Sequence, residues 1–419
     1  GAADWVELFR TKGSALPGTP YNAVWQNAGL PRLHAWQMVT PYGEGTRVTF
    51  ERNPFYWKVD PEGNQLPYID EVRYDVVQEP EVLLLQATNG EIDMHTRHIN
   101  TLQNKPVVAQ NQEAGQYHLI DLVQAIMNTG CFQVNMTHKN LALREIFANK
   151  DFRIGLSHAI NRQEVIDAVY VSQGEPWQAA PRPEAPFFNE VLAKQYTEYD
   201  VDLANQYLDK VLPNKDSDGM RLRPDGEKLN IQLEVATGQF AALVDVSSLV
   251  VNYWRAVGLD VVLKTEDRTL LFQRTEANDH DAAVWPGGSG LLDALVNGYM
   301  YFPLSSSSRY GVAWSYWWTG QADTAAEPVE PPEAVKRQFE LYEQLSATAD
   351  SAEQYRLMGE ILAIAQEEFY AIGISLPAPG YGIVKDAFHN VPMSMPDATV
   401  YPIPAPTNPA QYFIDTSAM

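Results

Sequence analysis

The chain has 419 residues, 45% of them apolar, and a formal net charge of −23 from 53 acidic against 30 basic side chains. That length suits two or three domains with real cores, and no apolar run approaches the roughly 18 residues that a membrane-spanning helix needs. The acidity argues against nucleic acid and anionic membrane as partners, since both require a cationic face. The acidic residues are spread along the chain, so most of them read as solvated surface. The one cysteine, Cys131 in GCFQVNM, allows no internal disulfide and reads as a small buried strand residue rather than a nucleophile. The N-terminus, GAADWVELFR, shows neither a basic n-region nor an apolar h-region. The protein is therefore either cytosolic or begins downstream of its targeting segment.

In chain order, TRVTFER (46–52) and VRYDV (72–76) alternate apolar and polar residues and predict half-buried strands. Pro80 opens a helix through Val82–Ala87 that stops at Asn89-Gly90, and GEIDMH returns as a strand. HLIDLV and CFQVNM predict two more strands. Asp151 is the expected cap of a helix carrying Phe152, Gly155, Leu156, Ala159 and Ile160 on one face. Asn161 with Glu164 three residues on forms a capping-box pattern for the next. Strand Leu229–Val235, helix Phe240–Val257, Gly258 and strand Leu259–Leu263 read as a βαβ unit, which predicts a parallel pair covered by a helix. Pro331-Pro332 starts a long helix with Val335, Phe339, Tyr342 and Leu345 inward, and Asp350 caps another that runs to about Tyr370. Residues 371–384 read as a strand broken by Pro377 and Pro379. The tail, 386–419, carries six prolines and little pattern.

Several segments, in order, resemble family 5 of the extracellular solute-binding proteins, the dipeptide/oligopeptide-type receptors of ABC importers. They are VTFERNPFYW (48–57), LPYIDEVRYDVV (66–77), NGEIDM (89–94), DFRIGLSHAINRQEVIDAVY (151–170) with QGEPW (173–177), DGEKLNIQLEV (225–235), DHDAAVW (279–285), FYAIGISLP and IVKDAFHNVP (383–392). GEIDMHTRHINTLQNK and EPPEAVKRQFELYEQL look like a long-chain subgroup whose receptors take oligopeptides or α-galactosides. The resemblance implies an α/β, two-lobed periplasmic-binding-protein fold. Mapped here, lobe 1 is 1–130 with a return at 378–419, and lobe 2 is 131–377, with crossings near Cys131–Asn135 and Ile374–Gly380. Two rigid lobes joined by few strands form a hinge that closes on a ligand, with no covalent chemistry required. The resemblance also implies a missing N-terminal segment bearing the export signal, the first strands of lobe 1 and an accessory domain. Lobe 1 is then expected to show an open sheet edge that a separate chain could complete.

Trp285 follows the strand DAAV and precedes Pro286-Gly287-Gly288-Ser289-Gly290. An aromatic beside glycine-rich backbone suits a ligand site, and the resemblance puts this tryptophan at the cleft. The alternative is a core tryptophan before a turn. Trp314, Trp317 and Trp318 in AWSYWWTG offer flat faces for sugar rings or apolar side chains, or a packing cluster. Trp5, Trp25 and Trp57 are assigned to the core. Peptide receptors of the family carry an acid three residues after the cleft tryptophan, which pairs with the peptide amine. Gly288 stands there, which moves weight toward a neutral oligosaccharide. Asp279 and Asp281 do not fit that position, and Asp293 is the remaining candidate. Asn214-x-Asp216-x-Asp218-Gly219-x5-Asp225 has calcium-loop spacing, but a strand and not a helix follows, so a surface turn is the better reading. His95 and His98 read as a hydrogen-bonded or solvated pair rather than a metal site.

No cofactor, metal site or catalytic residue is expected. The function expected is an extracytoplasmic receptor, periplasmic or at the cell surface. It would capture an oligopeptide or oligosaccharide and deliver it to a membrane permease. The alternatives are a glycoside-active enzyme, which would need two carboxylates at a set separation, and a ligand sensor on the same scaffold.

Overall fold

The computed structural model describes residues 4–13, 23–238, 241–320, 325–398, 400 and 402–418. The chain divides into two compact units. The first comprises residues 1–123, 379–397 and 401–419, and the second 124–378 and 398–400. The first passage between them lies at 123/124, earlier than the sequence suggests, and the return lies at 378/379. Cys131–Asn135, expected to cross, falls within the second unit, and Cys131–Val134 belongs to one of its strands. Its residues are buried on both faces, as for a strand inside a covered sheet.

In the first unit, Trp36–Thr40, Arg47–Arg52 and Glu71–Asp75 form an antiparallel three-stranded sheet. Pro80 occupies the first turn of the helix Pro80–Thr88, where its missing N–H costs nothing, and Gly90 follows with φ +72°. A second sheet runs in the order Ser394–Asp397, Tyr117–Gln124, Gly380–Lys385, Met94–His95. Tyr117, Tyr381 and Ile383 pack there with Ala87, Ile99 and Val108. Trp5, Trp25 and Trp57 are not in the core. Trp57 is 70% exposed and the other two are also open. The cluster near Trp57 holds only Ala35, Leu66 and Ala410 as buried apolar residues, too small a core to cover an indole.

In the second unit, a five-stranded sheet runs in the order Ile372–Gly373, Asn128–Val134, Ala282–Gly287, Asn230–Ala236, Asp260–Glu266. Asn230–Ala236 and Asp260–Glu266 are parallel, in continuous register from Asn230↔Asp260 to Ala236↔Glu266. The helix Ala241–Ala256 joins them, as the spacing predicts. Ile231, Leu233 and Val235 face Val246, Val250 and Trp254, which form the main core. Asn149, not Asp151, caps the helix Lys150–His158: its side chain accepts from Asp151 N at 2.9 Å. Asp151 sits in the first turn, where a negative charge complements the helix dipole. Asn161 caps Arg162–Val169 by accepting from Glu164 N at 3.2 Å.

The loop with calcium-type spacing is a turn. Asp216 accepts from Asp218 N and Met220 N and pairs with Lys228 at 2.8 Å, while Asp225 pairs with Arg223 at 2.6 Å. Both carboxylates are thus paired with cations of the same turn region. His95 and His98 lie with ring centres 6.5 Å apart, both held below the usual imidazole range chiefly by burial. Among the described residues no three His, Cys, Asp or Glu side chains converge. Cys131 is fully buried, and burial pushes its thiol up.

Arg162 carries much of the order of the second unit. It is buried, and its guanidinium donates to Gly373 O at 2.9 Å, Ser157 O at 3.0 Å, Thr197 O at 3.2 Å and Ser157 Oγ at 2.7 Å. Burial brings its pKa down to about 9, still charged at neutral pH. Removing it strands several carbonyls at about 1–3 kcal/mol each. Arg162→Met should therefore lower stability by about 3 kcal/mol or more, read as the urea midpoint. Arg337→Met, which removes an exposed helix-surface charge, should leave the midpoint in place. Equal midpoints for Arg162→Met and the parent would contradict this role.

Candidate functional site

The strand Ala282–Gly287 alternates its faces. Ala282 and Val284 enter the main core, while Ala283 and Trp285 face the helix Arg268–Glu276, with Leu271, Phe272 and Ala236. Asp267 caps that helix by accepting from Thr269 N at 2.8 Å. Arg268 and Phe272, four residues apart, then fall on one side of it. Phe272 meets Trp285 edge-on, with ring centres 5.0 Å apart at 60°. Two guanidinium groups lie over the pair. Arg268 Cζ is 5.1 Å from the Phe272 centre and 5.4 Å from that of Trp285; Arg309 Cζ is 5.2 and 5.0 Å away. Trp285 itself is half-buried.

The register slips between Trp285 and Gly287, so that Gly287 stands opposite Asn128. A Cβ on Gly287 would lie 2.7 Å from Met127 Sδ, and Gly287 O accepts from Met127 N at 2.9 Å. Gly287 therefore serves close packing against the neighbouring strand. Gly288 is half-exposed, with the Tyr299 hydroxyl against it. The Tyr299 hydroxyl is raised to about 12 by burial. Asp293 is buried and turned into its own loop, accepting from Leu291 N at 2.9 Å, and burial raises its pKa. Asp281 accepts from Gln232 N at 2.8 Å and faces His138, while Asp279 pairs with Arg274 at 3.4 Å.

The tryptophans of the helix Val312–Thr319 pack elsewhere. Trp318 stacks on Phe339 at 4.7 Å with the planes 4° apart and meets Tyr342 edge-on. Trp314 is buried in the same helical core. Trp317 is 40% exposed, with Lys336 Nζ 5.8 Å from its ring centre. Sequence reasoning missed Arg268, Phe272 and Arg309. The i, i+4 pair in RTLLFQR is a readable signal, but Arg309 reaches Trp285 only through tertiary folding.

On the same face of the sheet, Glu234 is fully buried, with Arg274 Nη2 donating to it at 2.7 Å. Burial and the neighbouring Glu266 raise the pKa of Glu234, and Arg274 opposes them. Lys264 Nζ lies 3.0 Å from Glu266. Two carboxylates and two cations compensate one another here.

Residues 35–309 match the middle region of the bacterial extracellular solute-binding proteins, family 5. The chain belongs to that family. It is 23% identical over 407 residues to the periplasmic alpha-galactoside-binding protein of Rhizobium meliloti (strain 1021), covering 93% of this chain and 57% of that protein. Among solved structures, an oligopeptide-binding protein OppA is 34% identical with a TM-score of 0.68, over 99% of this chain and 66% of that one. The periplasmic binding protein MelB of Agrobacterium fabrum C58, solved with stachyose, is 20% identical with a TM-score of 0.72, over 93% of this chain and 58% of that one. The chain thus spans between about half and two-thirds of the length of these family 5 relatives.

His280, which shares the environment of Arg309, gives the second unit a pH dependence. It is buried, its Nε2 lies 2.9 Å from Arg309 O, and burial holds its pKa down to about 4. An unfolded histidine titrates near 6.5. The unfolded chain therefore takes up a proton before the folded one, and the stability from neutral His280 is present above about pH 6.5 and lost as pH falls toward 4, on the order of 3 kcal/mol. Unfolding free energies measured from pH 8 to 4 should fall less steeply in His280→Gln than in the parent. Identical slopes would rule His280 out as a source.

Proposed function

We propose that this chain is the solute-binding part of an extracytoplasmic receptor, periplasmic or at the cell surface. It would take an oligosaccharide or oligopeptide and pass it to the permease of an ABC importer. Membership of family 5 over residues 35–309 is the observation that carries this reading. The alpha-galactoside-binding and oligopeptide-binding relatives support the two ligand classes. The role is capture and release without turnover, in keeping with a family of binding proteins. In this reading a permease in the membrane is the macromolecular partner.

The binding wall proposed is the half-buried end of Ala282–Gly287 in the second unit, with Trp285 and the Gly288 backbone as contacts and Gly287 setting the strand's close approach. Trp317 is the one tryptophan of its helix open enough to add a contact; Trp314 and Trp318 support the scaffold. Asp293 shapes the loop after Gly288, and in this reading does not meet a ligand amine.

Calorimetry with stachyose and with trialanine tests the proposal. At least one should bind. Loss of a contacting indole costs about 1–3 kcal/mol, so Trp285→Ala should weaken binding by roughly ten- to a hundred-fold. Trp285→Phe and a thermal melt separate loss of contact from loss of fold. Cleavage of either probe, or equal affinity in Trp285→Ala, would contradict the proposal.

A further inference from the structure

The loop that follows Trp285 commits most of its backbone inside the protein. Gly287 O accepts from Met127 N at 2.9 Å, Ser289 O from the Tyr301 hydroxyl at 2.6 Å, and Gly290 O from Arg182 N at 2.8 Å. Gly290 N donates to Ala125 O at 2.7 Å, and Leu291 N to the Asp293 carboxylate at 2.9 Å. The Ser289 N–H faces that same carboxylate, and Leu291 O accepts from Ala294 N at 3.0 Å. Ser289 takes a left-handed φ of +70°, and its hydroxyl donates to Asn297 O. Gly288 is the exception. It is half-exposed, and among the described residues nothing donates to its carbonyl.

The Gly288 N–H faces the Tyr299 hydroxyl, whose oxygen lies 3.2 Å from where a Gly288 Cβ would stand. That hydroxyl sits on a fixed support. Tyr299 is buried, and its carbonyl accepts from Ser308 Oγ at 2.7 Å and from the Tyr310 hydroxyl at 3.4 Å. Arg309 also acts on the hydroxyl, and Arg309 in turn has Glu276 and Arg268 near it. Cys131 and Asp293 are the other ionisable neighbours of Tyr299. A phenol oxygen has lone pairs to face an N–H and a cation, and one hydrogen to give. Burial raises this hydroxyl to about 12, so it keeps its hydrogen at neutral pH, and among the described residues no group takes that hydrogen.

The loop therefore offers a solute one carbonyl and, beside it, one hydroxyl hydrogen. An ammonium has no lone pair for the hydrogen, and a carboxylate has no hydrogen for the carbonyl. A trans peptide group carries a donor and an acceptor, but they point in opposite directions. A hydroxyl donates and accepts through a single oxygen. We infer that the Gly288 carbonyl and the Tyr299 hydroxyl together read a hydroxyl group of the ligand, which makes that ligand an oligosaccharide. Tyr299 has a second task, which is to hold the Gly288 peptide so that its carbonyl faces outward. This rests on the receptor reading above and narrows its ligand.

The test titrates the full chain with stachyose and, separately, with trialanine, reading affinity by calorimetry and Gly288 by its carbonyl carbon resonance. Stachyose should bind and move that resonance downfield, as when a carbonyl accepts a hydrogen bond. Tyr299→Phe keeps the ring and removes the hydroxyl. It should weaken stachyose by about ten-fold, as for loss of one hydrogen bond, with the thermal midpoint in place. Fluorine cannot donate, so among stachyoses carrying fluorine for one hydroxyl of the terminal galactose, one should lose about ten-fold. That penalty should shrink in Tyr299→Phe, whereas a merely structural tyrosine would weaken all the sugars alike. Binding of trialanine without binding of stachyose overturns the hydroxyl and leaves the receptor reading standing. Binding of neither probe counts against both. A Gly288 resonance that stays in place under bound stachyose, or equal affinity in Tyr299→Phe, overturns the assignment to this pair.

Discussion

Asn128 uses its whole hydrogen-bonding capacity inside the second unit, and the arrangement of the site depends on it. Its Nδ2 donates to Trp177 O at 2.9 Å and Gln178 O at 3.1 Å, and its Oδ1 accepts from Gly130 N at 3.1 Å and Ile374 N at 2.9 Å. Gln178 extends the network, accepting from Gly373 N at 2.8 Å and donating to Ser157 Oγ at 3.0 Å. Arg162 takes Gly373 O. Both backbone groups of Gly373 are thus held by buried side chains, and a Cβ there would lie 2.3 Å from Asn128 Nδ2. Buried polar networks of this kind are stable only when complete, so three distant parts of the chain are fixed together.

That constraint reaches the site directly. Asn128 stands opposite Gly287 in the sheet, so the strand that carries Trp285 inherits its register from the network. The opposite face of the same sheet is held by hydrophobic packing around Trp254, whose Nε1 also donates to Leu156 O at 3.0 Å. One face gives rigidity and the other presents Trp285, Phe272 and the arginines. A receptor that must recognise a solute without reacting with it requires rigid placement of a few polar and aromatic groups.

Much of this was legible in the sequence. The strand–helix–strand unit at 230–266, the helix after Pro80 and the helix after Asp350 follow from periodicity and caps, which are local. The segment DFRIGLSHAINR marked the family, and the structure gives its arginines a physical role, since Arg153 and Arg162 hold the turn and strand at 368–373. What sequence could not supply is tertiary. Trp57 is expected to be buried because indoles usually are, but burial needs enough surrounding chain. Gly287 and Gly288 look alike in sequence, yet one sits under Met127 and the other is half-exposed. Arg309, in a serine-rich loop, shows no local pattern that would place it over Trp285.

Hydrogen–deuterium exchange, followed with and without whichever of stachyose or trialanine calorimetry shows to bind, reports most directly on the site. Slowed exchange should concentrate in residues 283–290 and at Arg268 and Arg309. Protection elsewhere in the chain, with 283–290 unchanged, would contradict the placement of the binding wall at Trp285.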